Sequence, residues 1–258
     1  MAIAARKNPV GALASQVEGA DSVEIKATIA PRNIGKALKL FGVSQQSGER
    51  RFITFYDTRD LALLEAGLIL RSRRVPGKPH DSTVKFRPVL ADCAPAKFRL
   101  DRGFKIEADA TGKVIVRSAS LTHGVAKGLI KRVEAGGAPL KSLFDRAQEQ
   151  FIFQMSKRRC DFSSLIALGP MDALWWKIAH PGLPWPFVAE LWTRPDGVKT
   201  LEASVRVPVA QIAVANAGFL AFLAELGAVS AADQLAKTRW ALQYFAGVGK
   251  KAATPVKR

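Results

Sequence analysis

The chain has 258 residues, 48% of them hydrophobic, and a formal net charge of +17. A chain of this length can bury a sizeable core, and no apolar run reaches the ~20 residues of a membrane-spanning helix. Cys93 and Cys160 match no metal or redox spacing, which favours reduced thiols in a cytoplasmic protein. The basic excess favours anionic partners: nucleotides, polyphosphate, nucleic acid or a membrane surface.

The composition predicts three parts. Residues 1–20 are expected to form a flexible leader, and residues 248–258 a basic, disordered tail. Residues 21–247 are expected to form a single domain. The two ends carry six basic residues, so part of the charge lies outside the domain, but the domain itself remains strongly basic.

Strands with one charged face dominate the first part of the domain. DSVEIKATIA, at 21–30, alternates with a period of two, and places Glu24 and Lys26 on the face opposite its apolar residues. Pro31 then opens a short predicted helix. RRFITFYDT, at 50–58, is rich in aromatic and β-branched residues and predicts a second strand.

The stretch FYDTRDLALLEAGLILRSRR, at 55–74, predicts a turn, a short helix and a strand that carries Arg71 and Arg73. Alternate side chains of a strand share a face. Two guanidinium groups side by side suit a multiply charged anion, because each offers a fork of donors that matches phosphate. Taken alone, an R-x-R pattern is more often a solvated strand face.

The same alternation recurs further along the chain. DSTVKFRPV (81–89) carries Lys85 and Arg87 on one face, and GFKIEADA (103–110) carries Lys105, Glu107 and Asp109. Further strands are predicted at KVIVRSAS (113–120), EQFIFQMSKRRCDF (149–162) and ALWWKIAH (173–180).

The clearest hairpin lies at 187–208, where Pro195-Asp196-Gly197 supplies the turn between two alternating runs. Glu190 lies on one arm, and Glu202 and Arg206 lie on the other. After Pro208 the chain becomes helical in pattern, with one apolar helix predicted at 209–227 and a second at 232–247.

At least six predicted strands combine an ionisable face with an apolar face. On an open sheet the charged faces would simply be solvated. However, exposed strand faces are usually rich in Thr, Ser, Gln and Lys, whereas Arg and carboxylates recur here, and the apolar faces need the helices as cover. These features favour a closed barrel with a charged lumen. Such a lumen offers cations for phosphate and carboxylates for a hard divalent ion.

VEIKATI, the 55–74 stretch, DSTVKFRPV, ELWTRPDG with LEASV, and AKTRWAL together resemble the CYTH superfamily, the triphosphate tunnel metalloenzymes. The resemblance extends from about 22 to 245. It implies an α+β fold: an eight-stranded antiparallel tunnel β-barrel buttressed by helices, including a C-terminal helical pair. It also implies metal-dependent action on triphosphates, as in class IV adenylyl cyclase, thiamine triphosphatase, and inorganic and RNA triphosphatases.

The resemblance also implies roles for individual residues. Substrate-binding cations would be Lys26, Arg71, Arg73, Lys85, Arg87, Lys105, Arg206 and Lys237, and the first four would be catalytic. Ligands of Mg²⁺ or Mn²⁺ would be Glu24, Glu107, Asp109, Glu190 and Glu202. The first glutamate of the family signature falls at Ser22, and Asp21 beside it belongs to the opposite strand face.

The leading hypothesis is therefore a metal-dependent tunnel enzyme. It would hydrolyse inorganic triphosphate, a nucleoside triphosphate or thiamine triphosphate, or would cyclise ATP to cAMP. Ser22 keeps open a degenerate tunnel that binds polyphosphate, a nucleotide or RNA without turnover. Nucleic-acid binding through the basic surface and tails is a third hypothesis, and a homodimer is an open expectation. The three histidines show no ligand spacing, and neither a Walker-type loop nor a G-x-S-x-G motif occurs.

Overall fold

The computed structural model describes residues 17–90, 95–112, 114–228 and 237–247. Its strands form one closed barrel in the spatial order β1-β5-β6-β4-β3-β2-β7-β8-β9. The strands are β1 Ser22–Ile29, β2 Glu49–Asp57, β3 Leu68–Arg74, β4 His80–Phe86, β5 Phe104–Thr111, β6 Val114–Val125, β7 Ile166–Ile178, β8 Phe187–Thr193 and β9 Lys199–Val207.

The barrel has nine strands, whereas the sequence resemblance implied eight antiparallel ones. Strand direction cannot alternate at every step around a closed ring with an odd number of members, so at least one neighbouring pair must be parallel. That pair is β1 and β5, in which Glu24 is the partner of Asp109. The 74 residues between these strands supply the long connection that a parallel pair needs. Every other pair is antiparallel.

Helices pack against the barrel. They are α1 Ile34–Leu40, α2 Ala62–Glu65, α3 Leu129–Glu134, α4 Arg146–Ser156, α5 Ile212–Glu225 and α6 Lys237–Ala246. Of these, α4 and α5 cover the apolar outer wall of the barrel. Phe219 and Phe222 of α5 pack against Phe187 of β8 with ring centroids 6.1 and 5.6 Å apart. On the other side, Phe151 of α4 packs edge-on against Phe86 at 5.6 Å. Burial of such side chains contributes about 1.5–3 kcal/mol each, so both helices stabilise the wall.

The two C-terminal helices do not form a packed pair on the same surface. Helix α5 covers the outside of β1 and β9, whereas α6 joins Ala241 and Leu242 to an apolar cluster with Ile53 and Phe55. Ile53 and Phe55 are register partners of Arg73 and Arg71, and therefore share the lumen-facing side of the sheet. Helix α6 thus packs against one end of the lumen.

The strand predicted at 149–162 is wrong, because this segment forms most of α4. A capping box fixes the start of the helix: the Gln148 N–H donates to the Asp145 carboxylate at 2.9 Å, and the Asp145 N–H donates to the Gln148 side chain at 3.2 Å. Phe151, Ile152 and Met155 then form a helical stripe against the barrel. Lys157 ends the helix in the left-handed conformation, with φ 59°.

Several expectations fall partly or wholly outside the described residues. The basic tail at 248–258, residues 1–16 of the leader, Cys93 and positions 232–236 of the second C-terminal helix lie there. Val17, within the expected leader, is fully buried in the core beneath α5. No helix in the described ranges combines the length and apolarity needed to cross a membrane.

The contact between His123 of β6 and the start of α4 should make stability depend on pH. His123 Nε2 lies 3.0 Å from Asp101 Oδ2, and Nδ1 contacts Asp145 Oδ2. Burial lowers the pKa of His123, but the two carboxylates outweigh it and raise the pKa above 6.5. The stabilisation is therefore complete below the unfolded pKa and is lost as pH rises through the folded one.

We expect the free energy of unfolding to fall between pH 6 and pH 9 through this histidine. In a His123→Gln variant, urea unfolding should show a smaller fall in the free energy of unfolding over the same pH range. His180→Gln is the control, since His180 contacts the Gly182 N–H and the Phe222 ring and, among the described residues, no carboxylate. Equal pH dependence in the wild type and His123→Gln would contradict the assignment.

Candidate functional site

Cross-strand register places most of the predicted site residues on the inner face of the barrel. Direct partners in a sheet share a face, and Glu24 is paired with both Asp109 and Arg206. Glu190 is likewise paired with Glu202. The inner face carries Lys26, Arg71, Arg73, Lys85, Arg206, Glu24, Glu107, Asp109, Glu190 and Glu202.

A turn held by a carboxylate positions the arginine strand. Asp57, the last residue of β2, accepts hydrogen bonds from the backbone N–H groups of Leu63 and Leu64 at 2.8 and 2.9 Å. It thereby satisfies N–H groups at the start of α2 that have no partner within the helix. Gly67, with φ 76°, follows the helix in the left-handed conformation. The chain then enters β3, where Arg71 lies opposite Phe55.

One group of carboxylates is joined by Lys26 and Arg206. Lys26 Nζ lies 3.1 Å from Glu24 Oε2 and 2.9 Å from Asp109 Oδ1. Arg206 Nη2 lies 2.9 Å from Glu107 Oε1 and 3.7 Å from Glu24 Oε2. Three carboxylates from two neighbouring strands therefore share two cations.

Burial and charge act in opposite directions on this group. Burial raises the pKa of Asp109, but Lys26, Lys85 and Arg87 outweigh it and hold the pKa well below its usual range. Burial lowers the pKa of Lys26, while Glu24 and Asp109 raise it well above the ordinary value. Asp109 is therefore ionised and Lys26 is protonated at neutral pH.

A second group forms where α6 meets β8 and β9. Lys237 Nζ lies 2.9 Å from Glu202 Oε1 and also contacts Glu190 Oε2. Burial raises the pKa of Glu190, but the Lys237 ammonium more than offsets this and lowers the pKa to about 2. Two carboxylates directly opposite each other would repel, so the ammonium between them is needed for the strand pair.

Within the described ranges, Arg71 has no carboxylate partner at bonding distance, in contrast to Arg73. Arg73 Nη2 lies 2.6 Å from Asp81 Oδ2. Among these residues, Arg71 Nη2 donates only to the hydroxyl of Thr83, at 3.3 Å, and its buried Nε has no hydrogen-bond partner. Burial, followed by the neighbouring Arg73 charge, lowers the pKa of Arg71. The lumen therefore encloses a guanidinium whose charge is poorly compensated.

The remaining predicted cations differ in position. Lys85 Nζ and Arg87 Nη1 lie 3.4 and 3.5 Å from Asp109 Oδ2, at the edge of contact. Burial lowers the pKa of Lys85. Arg87 follows the last residue of β4, and Lys105 is exposed near the start of β5. Lys105 is thus the predicted substrate-binding residue that the described lumen does not enclose.

The five predicted metal ligands do not form one set. Glu24, Glu107 and Asp109 belong to the first group, and Glu190 and Glu202 belong to the second. Among the described residues, no three His, Cys, Asp or Glu side chains converge as a group that could hold a metal ion.

The chemistry of the first group nevertheless suits a hard cation, since carboxylate oxygens are the ligands of Mg²⁺ and Mn²⁺. Its buried Glu107 Oε1 and Asp109 Oδ1 lack a hydrogen bond of good geometry, although Arg206 and Lys26 each lie 2.9 Å from them. These two oxygens retain capacity for a further ligand.

Sequence reasoning missed several inward-facing residues. Arg51 of β2 pairs with Glu49 at 2.6 Å and lies over the Trp175 ring, 4.2 Å from its centroid. Asp81, the partner of Arg73, was also missed. The alternation of RRFITF contained the signal for Arg51, because this residue shares a face with Ile53 and Phe55.

The fold is a closed β-barrel buttressed by helices, with the charged residues on its inner face, and two solved structures share this fold. A candidate adenylate cyclase from Bacillus halodurans matches with a TM-score of 0.58 and 12% identity, over 85% of this chain and 96% of that one. A candidate adenylyl cyclase from Hippeastrum, with a dominant triphosphatase activity, matches with a TM-score of 0.59 and 13% identity, over 84% and 92%.

These matches confirm the sequence resemblance at the level of the fold. No protein-family model and no curated protein matches the sequence itself.

Proposed function

We propose that the tunnel binds the triphosphate group of a small molecule or polyphosphate and, with a divalent metal ion, hydrolyses it. Inorganic triphosphate, a nucleoside triphosphate and thiamine triphosphate are the substrate candidates. The observation that carries the proposal is Arg71, an enclosed guanidinium. In the part of the chain that the structure describes, its Nε has no partner and its Nη2 reaches only a threonine hydroxyl.

An enclosed charge without a counter-ion is costly, because desolvation removes the water that would stabilise it. An anion bound beside Arg71 would supply the missing partner. Arg73 occupies the same face of β3, and Lys85 lies on the same face of β4. Fork-shaped guanidinium donors match the oxygens of adjacent phosphates and would fix a linear polyphosphate along the strands.

The carboxylate group supplies the second half of the proposed site. Glu24, Glu107 and Asp109 have the donor chemistry for Mg²⁺ or Mn²⁺, which would stabilise charge on the leaving phosphate oxygen. Lys26 and Arg206, which now pair with these carboxylates, would bind phosphate oxygens instead. Glu190 and Glu202 remain candidate ligands, but Lys237 now neutralises them.

Hydrolysis is preferred to cyclisation of ATP because hydrolysis uses a water nucleophile, whereas cyclisation also requires the site to position the ribose hydroxyl. The triphosphatase activity of the Hippeastrum neighbour supports the same choice. At 13% identity this support comes from the shared fold alone. Cyclic AMP formation is the alternative product, and the same assay tests it.

A second function has a specific observation in its favour. Each of the five candidate metal ligands already contacts a cation of the protein: Lys26, Arg206 or Lys237. Ser22 also stands where the resemblance would place a further glutamate. A tunnel neutralised in this way would capture polyphosphate, a nucleotide or RNA without turning it over.

Product formation separates the two functions. The protein is incubated with inorganic triphosphate, ATP and thiamine triphosphate, each with Mg²⁺ or Mn²⁺, and phosphate, pyrophosphate and cyclic AMP are measured. We expect metal-dependent phosphate release. Tight binding with no product under either metal would leave only the binding function.

A Glu107→Gln variant should lose about a hundredfold in turnover, because a neutral amide is a poor ligand for a hard cation. The fold should survive, since its partner Arg206 is half exposed and can be hydrated. Asp172→Asn is the matched control, because Asp172 pairs with Arg50 in an exposed bridge. Turnover equal to wild type in Glu107→Gln would remove this carboxylate from the proposed metal site.

A further inference from the structure

A cavity of about 930 Å³ lies outside the barrel, between α4, the segment 139–141 before it and the segment 159–165 after it. Gln148 and Phe151 of α4 face the barrel and do not line the cavity, whereas Arg146, Ile152 and Phe153 do. None of the predicted tunnel residues lines it. The cavity is therefore a separate feature of the surface.

The floor of the cavity is apolar. Ile152 and Leu165 are buried beneath it, and Phe162 stacks on Phe144 with ring centroids 5.6 Å apart. Phe153 projects beside this floor with 45% of its surface exposed. The Phe153 ring and the floor together offer apolar surface that a ligand in the cavity would cover.

The rim of the cavity carries an excess of positive charge. Four cations and two acids line it. Glu149 pairs with Lys141 at 3.2 Å, and Asp161 accepts hydrogen bonds from Ser163 but keeps its charge. Lys97, Arg146 and Arg159 also line the cavity, and none of them forms an ion pair within the described part of the chain. Three cations are therefore available to an anion at the rim.

We propose that this cavity binds a small anion with an apolar body, such as an acyl carboxylate or an aryl sulfonate. The apolar part would cover Phe153 and the floor, and the anionic group would meet Arg146 and Arg159 at the rim. The volume lies within the ~300–1,000 Å³ range of small-molecule sites. The ends of the chain complement this rim poorly, because residues 1–16 and 248–258 contain basic residues and no acidic ones. This inference is independent of the proposed tunnel function.

Fluorescence titration with 8-anilinonaphthalene-1-sulfonate tests the proposal, because this probe is an anion with an apolar aromatic body. We expect one saturable site. Decanoate should displace the probe, decanol should do so about tenfold more weakly because it lacks the charge, and inorganic triphosphate should not displace it.

The variants locate the site. An Arg146→Gln/Arg159→Gln double variant should bind the probe about tenfold more weakly, whereas Arg132→Gln/Arg158→Gln, at exposed arginines outside the cavity, should bind within about twofold of wild type. Unchanged thermal unfolding checks that both pairs fold.

The proposal is overturned if the Arg146→Gln/Arg159→Gln variant binds like wild type or if the control pair loses as much. If Arg71→Met no longer binds the probe, or if triphosphate displaces the probe, the probe binds in the tunnel. Either result would equally overturn the proposal. Unchanged probe binding by Arg71→Met supports the proposal, whatever the outcome of the triphosphatase assay.

Discussion

An Arg71→Met variant is expected to bind inorganic triphosphate about a hundredfold more weakly than the wild type, and yet to unfold at a higher temperature when no ligand is present. The loss of affinity corresponds to about 3 kcal/mol, the contribution of a charge-assisted contact between a guanidinium and phosphate. The gain in stability follows because the Thr83 hydroxyl is the only hydrogen-bond partner that the described residues give to the enclosed charge of Arg71. Removing an unpaired enclosed charge relieves its desolvation cost.

The expected rise in melting temperature is about 2–4 °C, the shift that 1 kcal/mol produces in a chain of this size. Calorimetric titration measures the affinity, and thermal unfolding with and without triphosphate measures the stability and its linkage to binding. The opposite signs of the two effects are the test, because a residue that merely holds the fold together would lower both.

Arg73→Gln provides the matched comparison on the same strand face. Arg73 is bonded to Asp81 through both Nε and Nη2, at 2.8 and 2.6 Å. Its loss should therefore weaken triphosphate binding and also lower the melting temperature, since Asp81 would lose its partner. Undiminished triphosphate binding by Arg71→Met would show that the anion does not bind beside β3, and the proposed function would lose its main support.

The charged inner faces were predictable from sequence because a strand has a period of two. The alternation around Glu24, Arg71 and Glu107 fixes which residues share a face, whatever the neighbouring strand is. The hairpin of β8 and β9 was predictable for the same reason, with a strong turn at Pro195-Asp196-Gly197. Local chemistry determines both features.

The strand count and the ion pairs depend on closure of the barrel and were not predictable in this way. The parallel pairing of β1 with β5 brings Glu24 beside Asp109 across more than 80 residues of sequence. Only this closure lets Lys26 bridge the two carboxylates. Likewise, no local pattern indicates that Lys237 reaches Glu190, since their contact requires α6 to pack against the end of the lumen.

Helix α4 shows the limit of periodicity in a short apolar run. The run FIF at 151–153 shows neither the alternation of a strand nor the spacing of a helical stripe. Its aromatic residues therefore favoured a strand. The capping box between Asp145 and Gln148, a few residues upstream, decides the structure. The available signal was an Asp followed three residues later by Gln, which is typical of a helix start. This pair lies just before the segment 149–162 that was predicted to be a strand.

A Lys237→Met variant is expected to lose about 3–5 kcal/mol of stability at neutral pH, or roughly 10 °C in melting temperature. Lys237 is the cation that lies between Glu190 and Glu202, which are direct partners on β8 and β9. Without the ammonium, two enclosed carboxylates would face each other, and desolvation and mutual repulsion would act together. Urea unfolding at several pH values measures the effect.

The pH dependence of the stability difference between wild type and Lys237→Met identifies the cause of that difference. In the wild type the pKa of Glu190 is lowered from 4.5 to about 2, so its ion pair stabilises the fold above pH 4.5 and is lost as pH falls through 2. In Lys237→Met the pKa of one carboxylate should instead rise, so acidification from pH 7 to pH 5 should stabilise the variant by neutralising the repulsion. The difference in the free energy of unfolding between wild type and Lys237→Met must therefore decrease on acidification.

Arg239→Met on the same helix is the control, because its bridge to Glu65 is exposed and should contribute less than about 1 kcal/mol at any pH. A gap that stays constant from pH 7 to pH 4 would mean that Lys237 stabilises the end of the tunnel by packing rather than by charge.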